Sequence, residues 1–392
     1  MTRSLEVALL TYSVKPRGGP VHTLAVAEAL AARGHRPHVF AIAPPGQGFF
    51  RASRVPATVI DFEHPAVDFD ERIPAMIEAY REGLREPLGA GFDVVHAQDC
   101  LSANSALDLR EEGVIESLVR TVHHVDDFTS PSLVACQDRS ILAPDEVLCV
   151  SAPWRERLRA EFGVEAQPVG NGVDRARFRP APDGEARSRD RAAHGAAGRL
   201  LILTVGGIEP RKGSMTLIEA FAALREARPD LDPVLVVAGG ATLFDYRPYR
   251  ARVLQRIEAL GLDLERDLRL AGPLPDAEIA RLYRAADVFA FPSIKEGFGL
   301  TVLEAASAGL PVVASDIDVF RTFLRHRESA LLPPSGDAAA LAAALTEVAD
   351  DPALRSRLVA GGETLARAHG WERVAERHEE LYLGFAPVAA AA

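Results

Sequence analysis

Val288–Ala314 reads VFAFPSIKEGFGLTVLEAASAGLPVVA, and this stretch decides the fold. Val288–Phe291 is an apolar, β-favouring run that predicts a strand. A turn carrying Gly297 and Gly299 follows. A helix is predicted from about Gly299 to Ala308, stopped by Gly309 ahead of Pro311. Pro311–Ala314 then predicts a second strand. Strand, loop, helix and strand in this order form the repeating unit of a parallel α/β sheet. The loop also has chemical content. Gly297 and Gly299 let backbone N–H groups approach a ligand closely. The N-terminus of the new helix favours an anion or a hydroxyl-rich ligand. Glu296 lies in the turn and Glu304 about one and a half turns into the helix. Two such carboxylates can bind different parts of one extended ligand, or be a loop carboxylate and a solvated helical glutamate.

The same alternation runs outward in both directions. In the first half, strands are predicted at Glu6–Leu10, Arg36–Ile42, Phe92–His96, Ser117–Val122, Glu146–Val150 and Ala166–Val169. A first helix is predicted from about Pro20 to Arg33, ending at Gly34, and Pro44–Glu71 reads as a long loop. In the second half, strands are predicted at Leu200–Val205, Val234–Ala238, Leu268–Ala271, Val288–Phe291 and Pro311–Ala314, with Ser214–Ala227 helical. Residues 171 to about 198, rich in Pro, Gly, Arg and Asp and without a period, read as an interdomain connection plus a surface loop. The stretch from Trp371 to Phe385 has helical spacing, and Pro387–Ala392 reads as a frayed tail.

A chain of 392 residues exceeds one ordinary core. The expectation is α/β, with two Rossmann-like, doubly wound domains facing across a cleft: residues 1–170, residues 171–370, and a C-terminal helix in 371–392. Ligands of such sheets bind at the carboxyl ends of the strands, so two such domains suit a two-substrate enzyme.

Bulk composition excludes several classes. Net charge is −11, against a broad nucleic-acid-binding surface. No apolar run is long enough for a transmembrane helix, and MTRSLEVALLTYS reads as a first buried strand rather than a secretory leader. The three cysteines, Cys100, Cys136 and Cys149, have neither disulfide nor zinc spacing, which fits a reducing cytoplasm. Of 44 cationic residues only Lys15, Lys212 and Lys295 are lysines, and all three lie in or beside segments singled out here.

Lys212 lies in VGGIEPRKG, a loop between a predicted strand and a predicted helix, with Arg211 before it pointing either to a ligand or to solvent. Gly18 and Gly19 follow the first strand without a dinucleotide-type GxGxxG. Lys15, Arg17 and the start of the first helix make a modest anion site. His22 reads as either ligand-facing or a helix-start histidine. TVHH ends another strand. A metal set of His123, His124, Asp126 and Asp127 is disfavoured, because adjacent strand residues point to opposite faces.

Glu296 and Glu304, with seven residues between them in EGFGLTVLEA, resemble the E-x7-E signature of the family-4 retaining glycosyltransferases of the GT-B fold. GGPVHTLAVAEALAARGH, DVVHAQD, TVHH, NGVDRARFRP, VGGIEPRKG, LAGPLPDAEIARLYRAADVFAFPS and GLPVVASD resemble further family segments, in the family's order and across nearly the whole chain.

The resemblance implies a nucleoside-diphosphate-sugar donor, retained configuration by a front-face route, and no metal or other cofactor. It implies Glu296 on the donor sugar hydroxyls and Glu304 on the ribose. Backbone amides of Gly297, Phe298, Gly299 and Leu300 would lie on sugar and diphosphate, Lys212 on the diphosphate, and His123 near sugar or acceptor. Gly18 and Gly19 would face the diphosphate, and the C-terminal helix would pack on the first domain. Gly207 departs from the family's usual arginine, a charge that Arg211 could supply. The acceptor is left open: small molecule, glycan or lipid-linked. The distinctive VHHVDDFTSPSLVACQDRSI is expected to shape the acceptor side. Epimerases and phosphorylases of the same architecture, and a non-catalytic sugar-nucleotide binder, are the competing readings.

Overall fold

A computed structural model describes residues 3–65, 69–128, 130–240 and 246–385. The predicted tail Pro387–Ala392 lies outside them. The described chain divides into two compact units: one runs to Gly172 and takes in the helix beginning at Trp371, and the other is Val173–Gly370.

The first unit contains β1 (Glu6–Thr11), α1 (Gly18–Ala32), β2 (Arg36–Ala43), β3 (Ala57–Asp61), α2 (Phe69–Gly89), β4 (Val94–Ala97), α3 (Cys100–Glu111), β5 (Val119–Val122), α4 (Pro131–Leu142), β6 (Glu146–Cys149), α5 (Ala152–Phe162) and β7 (Gln167–Pro168). Its seven strands are parallel, in the order β3-β2-β1-β4-β5-β6-β7. Strand order reverses between β1 and β4, so the loops after these strands flank the switch point where doubly wound sheets bind ligands. The core residues of β1, β4 and β5 are buried on both faces, as a sheet covered by helices requires.

The second unit contains α6 (Gly184–Ala193), β8 (Leu201–Val205), α7 (Ser214–Ala227), β9 (Val234–Ala238), α8 (Arg247–Ala259), β10 (Leu268–Gly272), α9 (Asp276–Ala285), β11 (Val288–Phe291), α10 (Leu300–Ser307), β12 (Val312–Ala314), α11 (Asp318–Arg321), α12 (Ala338–Asp350) and α13 (Pro352–Ala368). Five parallel strands run β10-β9-β8-β11-β12, with the switch point between β8 and β11. Phe221, Ile202, Leu235 and Val288 anchor the core between this sheet and α7, α8 and α12.

The last helix, α14 (Trp371–Phe385), belongs to the first unit. Arg33 at the end of α1 pairs with Glu379, and His35 lies 3.4 Å from the same carboxylate.

Two segments differ from the sequence reading. Pro44–Glu71 contains β3 and the start of α2 as well as loop; residues 66–68 lie outside the described ones. β3 is an edge strand with three half-buried and two exposed residues, so ATVID lacks the apolar signature of its neighbours. Residues 171–198 contain helix α6, capped by Asp183. None of its residues is buried, which explains the missing apolar period. Polar contacts hold it instead. Asp287 accepts from Arg187 (2.7 Å), Arg191 (2.8 Å) and the Leu201 amide (2.8 Å), tying α6 to β8.

Asp287→Ala strips three donors of one shared acceptor. It should lower stability by about 2 kcal/mol, more than the ~0–1 kcal/mol of an exposed ion pair. Urea unfolding followed by circular dichroism measures this, and a change under about 0.5 kcal/mol would show that α6 is held by something else.

Candidate active site

In the second unit the loops leaving β8 and β11 meet at the switch point. Both are built from residues that avoid side-chain bulk. A Cβ on Gly213, whose φ is +64°, would lie 2.0 Å from the Pro292 carbonyl oxygen. One on Gly239 would lie 2.4 Å from the Gly206 carbonyl. Because the Gly213 approach is possible, the Arg211 carbonyl accepts from the amides of Ile294 (2.7 Å) and Lys295 (3.3 Å), and the loops after β8 and β11 are stitched backbone to backbone.

The stitching brings the predicted charges together. Lys212 Nζ donates to Glu296 Oε1 at 2.6 Å, and Arg211 Nη1 lies 3.5 Å from the same oxygen. Lys212 Nζ also sits 4.6 Å from the centroid of the Phe291 ring, a cation–π contact. Burial raises the Glu296 carboxyl, but Lys212 and Arg211 outweigh it and hold the group below the usual carboxylate range. Burial pulls Lys212 down, partly offset by Glu296. The 2.6 Å contact is that of a charged pair, each group keeping the other ionised.

Glu209, not singled out by the sequence, is buried and accepts from Arg211 Nε at 2.8 Å. It holds the guanidinium beside Glu296, with about a third of the side chain still exposed. Its signal was present: a carboxylate two residues ahead of Arg211 in EPRK.

Helix α10 begins after Gly299, at φ +102°, with no side-chain cap. A Cβ there would meet Phe320 at 2.6 Å. Gly297, Phe298 and Leu300 border this start; Phe298 is buried, its ring stacked on Phe323 with centroids 4.9 Å apart. Glu304, further along α10, accepts from Tyr283 Oη at 2.8 Å. Burial raises its carboxyl, against Arg177.

In the first unit, Gly18 and Gly19 open α1 itself, two residues earlier than the sequence suggested, because Arg17 ahead of them is extended. A Cβ on Gly19 would come 4.0 Å from His123 Cδ2. His123 follows β5, partly exposed, with Nε2 3.0 Å from Gln98 Oε1. His22 is fully buried, its Nδ1 2.7 Å from Asn171 Oδ1, and its ring packs edge-on against His123 and Trp371. His124 turns away and pairs with Asp126 at 3.2 Å. Among the described residues, no three His, Cys, Asp or Glu side chains gather as a metal would need.

His22, His96, His123 and His378 form a continuous layer on the α1 and α14 side of the sheet. Burial pushes all four down, His22 to about 4 and His378 to about 3.

Residues 16–177 match the family model described as Glycosyltransferase Family 4, and residues 186–364 the model described as Glycosyl transferases group 1. A D-inositol 3-phosphate glycosyltransferase of Catenulispora acidiphila is 31% identical over 79% of this chain and 76% of its own length. The chain belongs to the family-4 glycosyltransferases. This glycosyltransferase is also similar to a phosphatidyl-myo-inositol mannosyltransferase of Mycobacterium leprae, at 29% identity over 94% of this chain and 93% of the relative. Its GT-B fold is shared with sucrose-phosphate synthase of Thermosynechococcus elongatus (TM-score 0.79, 23% identity, covering 97% and 99% of the two chains). It is likewise shared with HepE of Anabaena solved with UDP-glucose (TM-score 0.79, 19% identity, covering 97% and 100%).

The histidine layer makes a stability prediction. A histidine whose folded pKa is depressed is protonated first in the unfolded chain. Stability is therefore complete above about pH 6.5 and falls as pH drops toward the folded values, by roughly 1.4 kcal/mol per pH unit for each proton taken up. The urea midpoint of the first unit should fall between pH 7 and 5, and less steeply in a His22→Gln, His378→Gln variant. Equal slopes would exclude these two imidazoles as the cause.

Proposed function

We propose that this glycosyltransferase moves a sugar from a nucleoside-diphosphate-sugar to a hydroxyl acceptor with retained configuration and without a metal ion. The observation that carries this reading is the pair of half-buried Lys212 and buried Glu296 at the mouth of α10, with Arg211 held beside it by Glu209.

The costly event in such a transfer is negative charge growing on the leaving diphosphate while the sugar becomes cation-like. Fixed cations and helix N-termini at that point stabilise the charge without reorganising, because they are already aimed. Lys212 and Arg211 are the cations, and the uncapped start of α10 supplies the amides. This arrangement does the task a divalent ion performs elsewhere. Arg211 fills the charge left out at Gly207. Glu296 accepts from sugar hydroxyls and Glu304 from the ribose. Gly18 and Gly19 leave the start of α1 open to the diphosphate, and His123 serves the sugar or acceptor. The stretch from His123 through α4 shapes the acceptor side.

Two relatives carry names built on a phosphate-bearing inositol, which makes an inositol phosphate the first acceptor to test. HepE was solved with UDP-glucose, which supports beginning with UDP-sugars. Release of nucleoside diphosphate that depends on an acceptor distinguishes transfer from epimerisation or passive binding.

Transfer should survive EDTA unchanged. Abolition by EDTA with rescue by Mg²⁺ or Mn²⁺ would show that the cations named here do not carry the leaving group.

Three variants separate binding from chemistry. Lys212→Met should lower kcat by about 10²–10³-fold while weakening donor binding less, because charge at that atom appears mainly in the transition state. Glu296→Gln should impair use of the intact donor yet spare affinity for the bare nucleoside diphosphate. Glu304→Gln should weaken the bare nucleotide as well. Calorimetry beside transfer kinetics reads all three, and the reverse pattern for the two glutamates would overturn their assignment.

A further inference from the structure

A chain of hydrogen bonds runs through the first unit from the surface histidine to the C-terminal helix. Gln98 Oε1 lies 3.0 Å from His123 Nε2, and Gln98 Nε2 lies 3.2 Å from His96 Nε2. His96 Nε2 is also 2.7 Å from Thr121 Oγ1, and His96 Nδ1 is 2.5 Å from Tyr382 Oη on α14. Gln98, His96, Thr121 and Tyr382 are all buried.

With the Gln98 amide in this orientation, Oε1 toward His123 and Nε2 toward His96, donor and acceptor rules set the protons. A glutamine carbonyl oxygen can only accept, so His123 carries its proton on Nε2. A glutamine amide nitrogen can only donate, so His96 Nε2 is an acceptor and His96 Nδ1 carries the proton that it gives to Tyr382. His123 is then left with a bare lone pair on Nδ1.

We infer that Gln98 is a positioning residue that holds His123 as the neutral Nε2–H tautomer, so that its Nδ1 is presented as a hydrogen-bond acceptor to a substrate hydroxyl, with Tyr382 anchoring the far end of the relay. The inference rests on the proposed role of His123, but the Gln98–His123 geometry stands apart from it. A neutral imidazole that accepts suits a hydroxyl group; an imidazolium can only donate. The surroundings favour the neutral form. His123 is faced by His22 from α1, His96 from β4, Arg120 from β5 and His124 from its own segment, and none of these brings a negative charge. His378 and Trp371 of α14 lie behind His22. The Gln98 amide sets the relay's polarity, and the Tyr382 hydroxyl follows it by accepting from His96 Nδ1, which leaves His96 Nε2 for Gln98 and Thr121.

Histidine ¹⁵N NMR on the full chain, beside kinetics with a UDP-sugar donor, tests this. In the wild type, His123 should show a protonated Nε2 and an unprotonated Nδ1 across pH 6–8. Gln98→Leu should change that signature toward a tautomer mixture and lower kcat/KM by about tenfold, the scale of one lost hydrogen bond, with the unfolding midpoint nearly unchanged. Gln98→Glu keeps an acceptor opposite Nε2 but adds a charge that favours imidazolium. It should therefore restore the Nε2–H signature and the activity above about pH 8, and lose activity on acidification where the wild type is flat. Tyr382→Phe removes the acceptor on His96 Nδ1 and should move the His96 signature.

An unchanged His123 signature in Gln98→Leu would overturn the positioning role whatever the activity does. An altered signature with wild-type kinetics would leave the relay standing as structure and remove His123 Nδ1 from substrate handling. That second outcome counts against the role of His123 in the proposed reaction, not against the hydrogen-bond geometry. Loss of activity in Gln98→Leu that merely tracks a lowered unfolding midpoint would also overturn the inference, as Gln98 would then be holding the fold.

Discussion

The approach of Gly213 to the Pro292 carbonyl is the constraint on which the charged site depends. A methyl group at residue 213 would sit 2.0 Å from a backbone oxygen that has nowhere to go, and residue 213 also needs a positive φ. With hydrogen alone at that position, the loops after β8 and β11 close to hydrogen-bonding distance, Ile294 N to Arg211 O at 2.7 Å. Everything charged follows from that distance. Lys212 and Glu296 are separated by 84 residues in sequence, yet the stitched loops leave their side chains 2.6 Å apart over the Phe291 ring. Were the loops an ångström or two wider, a largely covered lysine would face a buried carboxylate through a gap, and both would be driven toward neutrality.

The first unit handles its polar interior differently. Three buried histidines and the partly exposed His123 avoid the cost of burying charge by staying neutral, and their hydrogen bonds go to Asn171, Gln98, Thr121, Tyr382 and the Val374 carbonyl. Two of these partners lie on α14. The helix thus contributes more than apolar cover: Trp371 closes one side of His22, while Tyr382 completes the hydrogen bonding of His96. This also explains why a stretch nearly two hundred residues away in the chain belongs to the unit that starts at β1.

The core strands were legible because parallel strands covered on two faces must be apolar throughout, and Val234–Ala238 and Val288–Phe291 were placed at their observed limits. The loops with Glu296 and Lys212 were legible through glycines at strand ends. β3 and α6 were not, for opposite reasons: β3 is a half-buried edge strand in a proline-rich stretch, and α6 is held by arginine–aspartate contacts that leave no hydrophobic period. Glu209 and Gln98 were missed because their importance lies in what they aim rather than in any motif of their own. A carboxylate beside an arginine is usually solvated, and a glutamine after a strand is usually a loop residue. Only tertiary distances, 2.8 Å to Arg211 and 3.0 Å to His123, separate these two from that background.

The contrast between the two switch points has a physical logic under the proposed chemistry. A site that must stabilise growing negative charge needs cations that are already in place and already desolvated, since a cation still wrapped in water has to shed it during the reaction. Cations held this close to a covered site need partners, and Glu296 and Glu209 compensate Lys212 and Arg211. A site that must recognise neutral hydroxyls has the reverse need. At His123 no neighbouring counter-charge offsets a buried ion, and a tautomer-locked neutral imidazole offers one acceptor in one direction. The carboxylates beside Lys212 and Arg211 and the amide beside His123 therefore perform the same task at different charge: each removes a freedom that the functional side chain would otherwise have. For Lys212 the freedom removed is that of losing its proton, and for His123 it is that of choosing which nitrogen carries it.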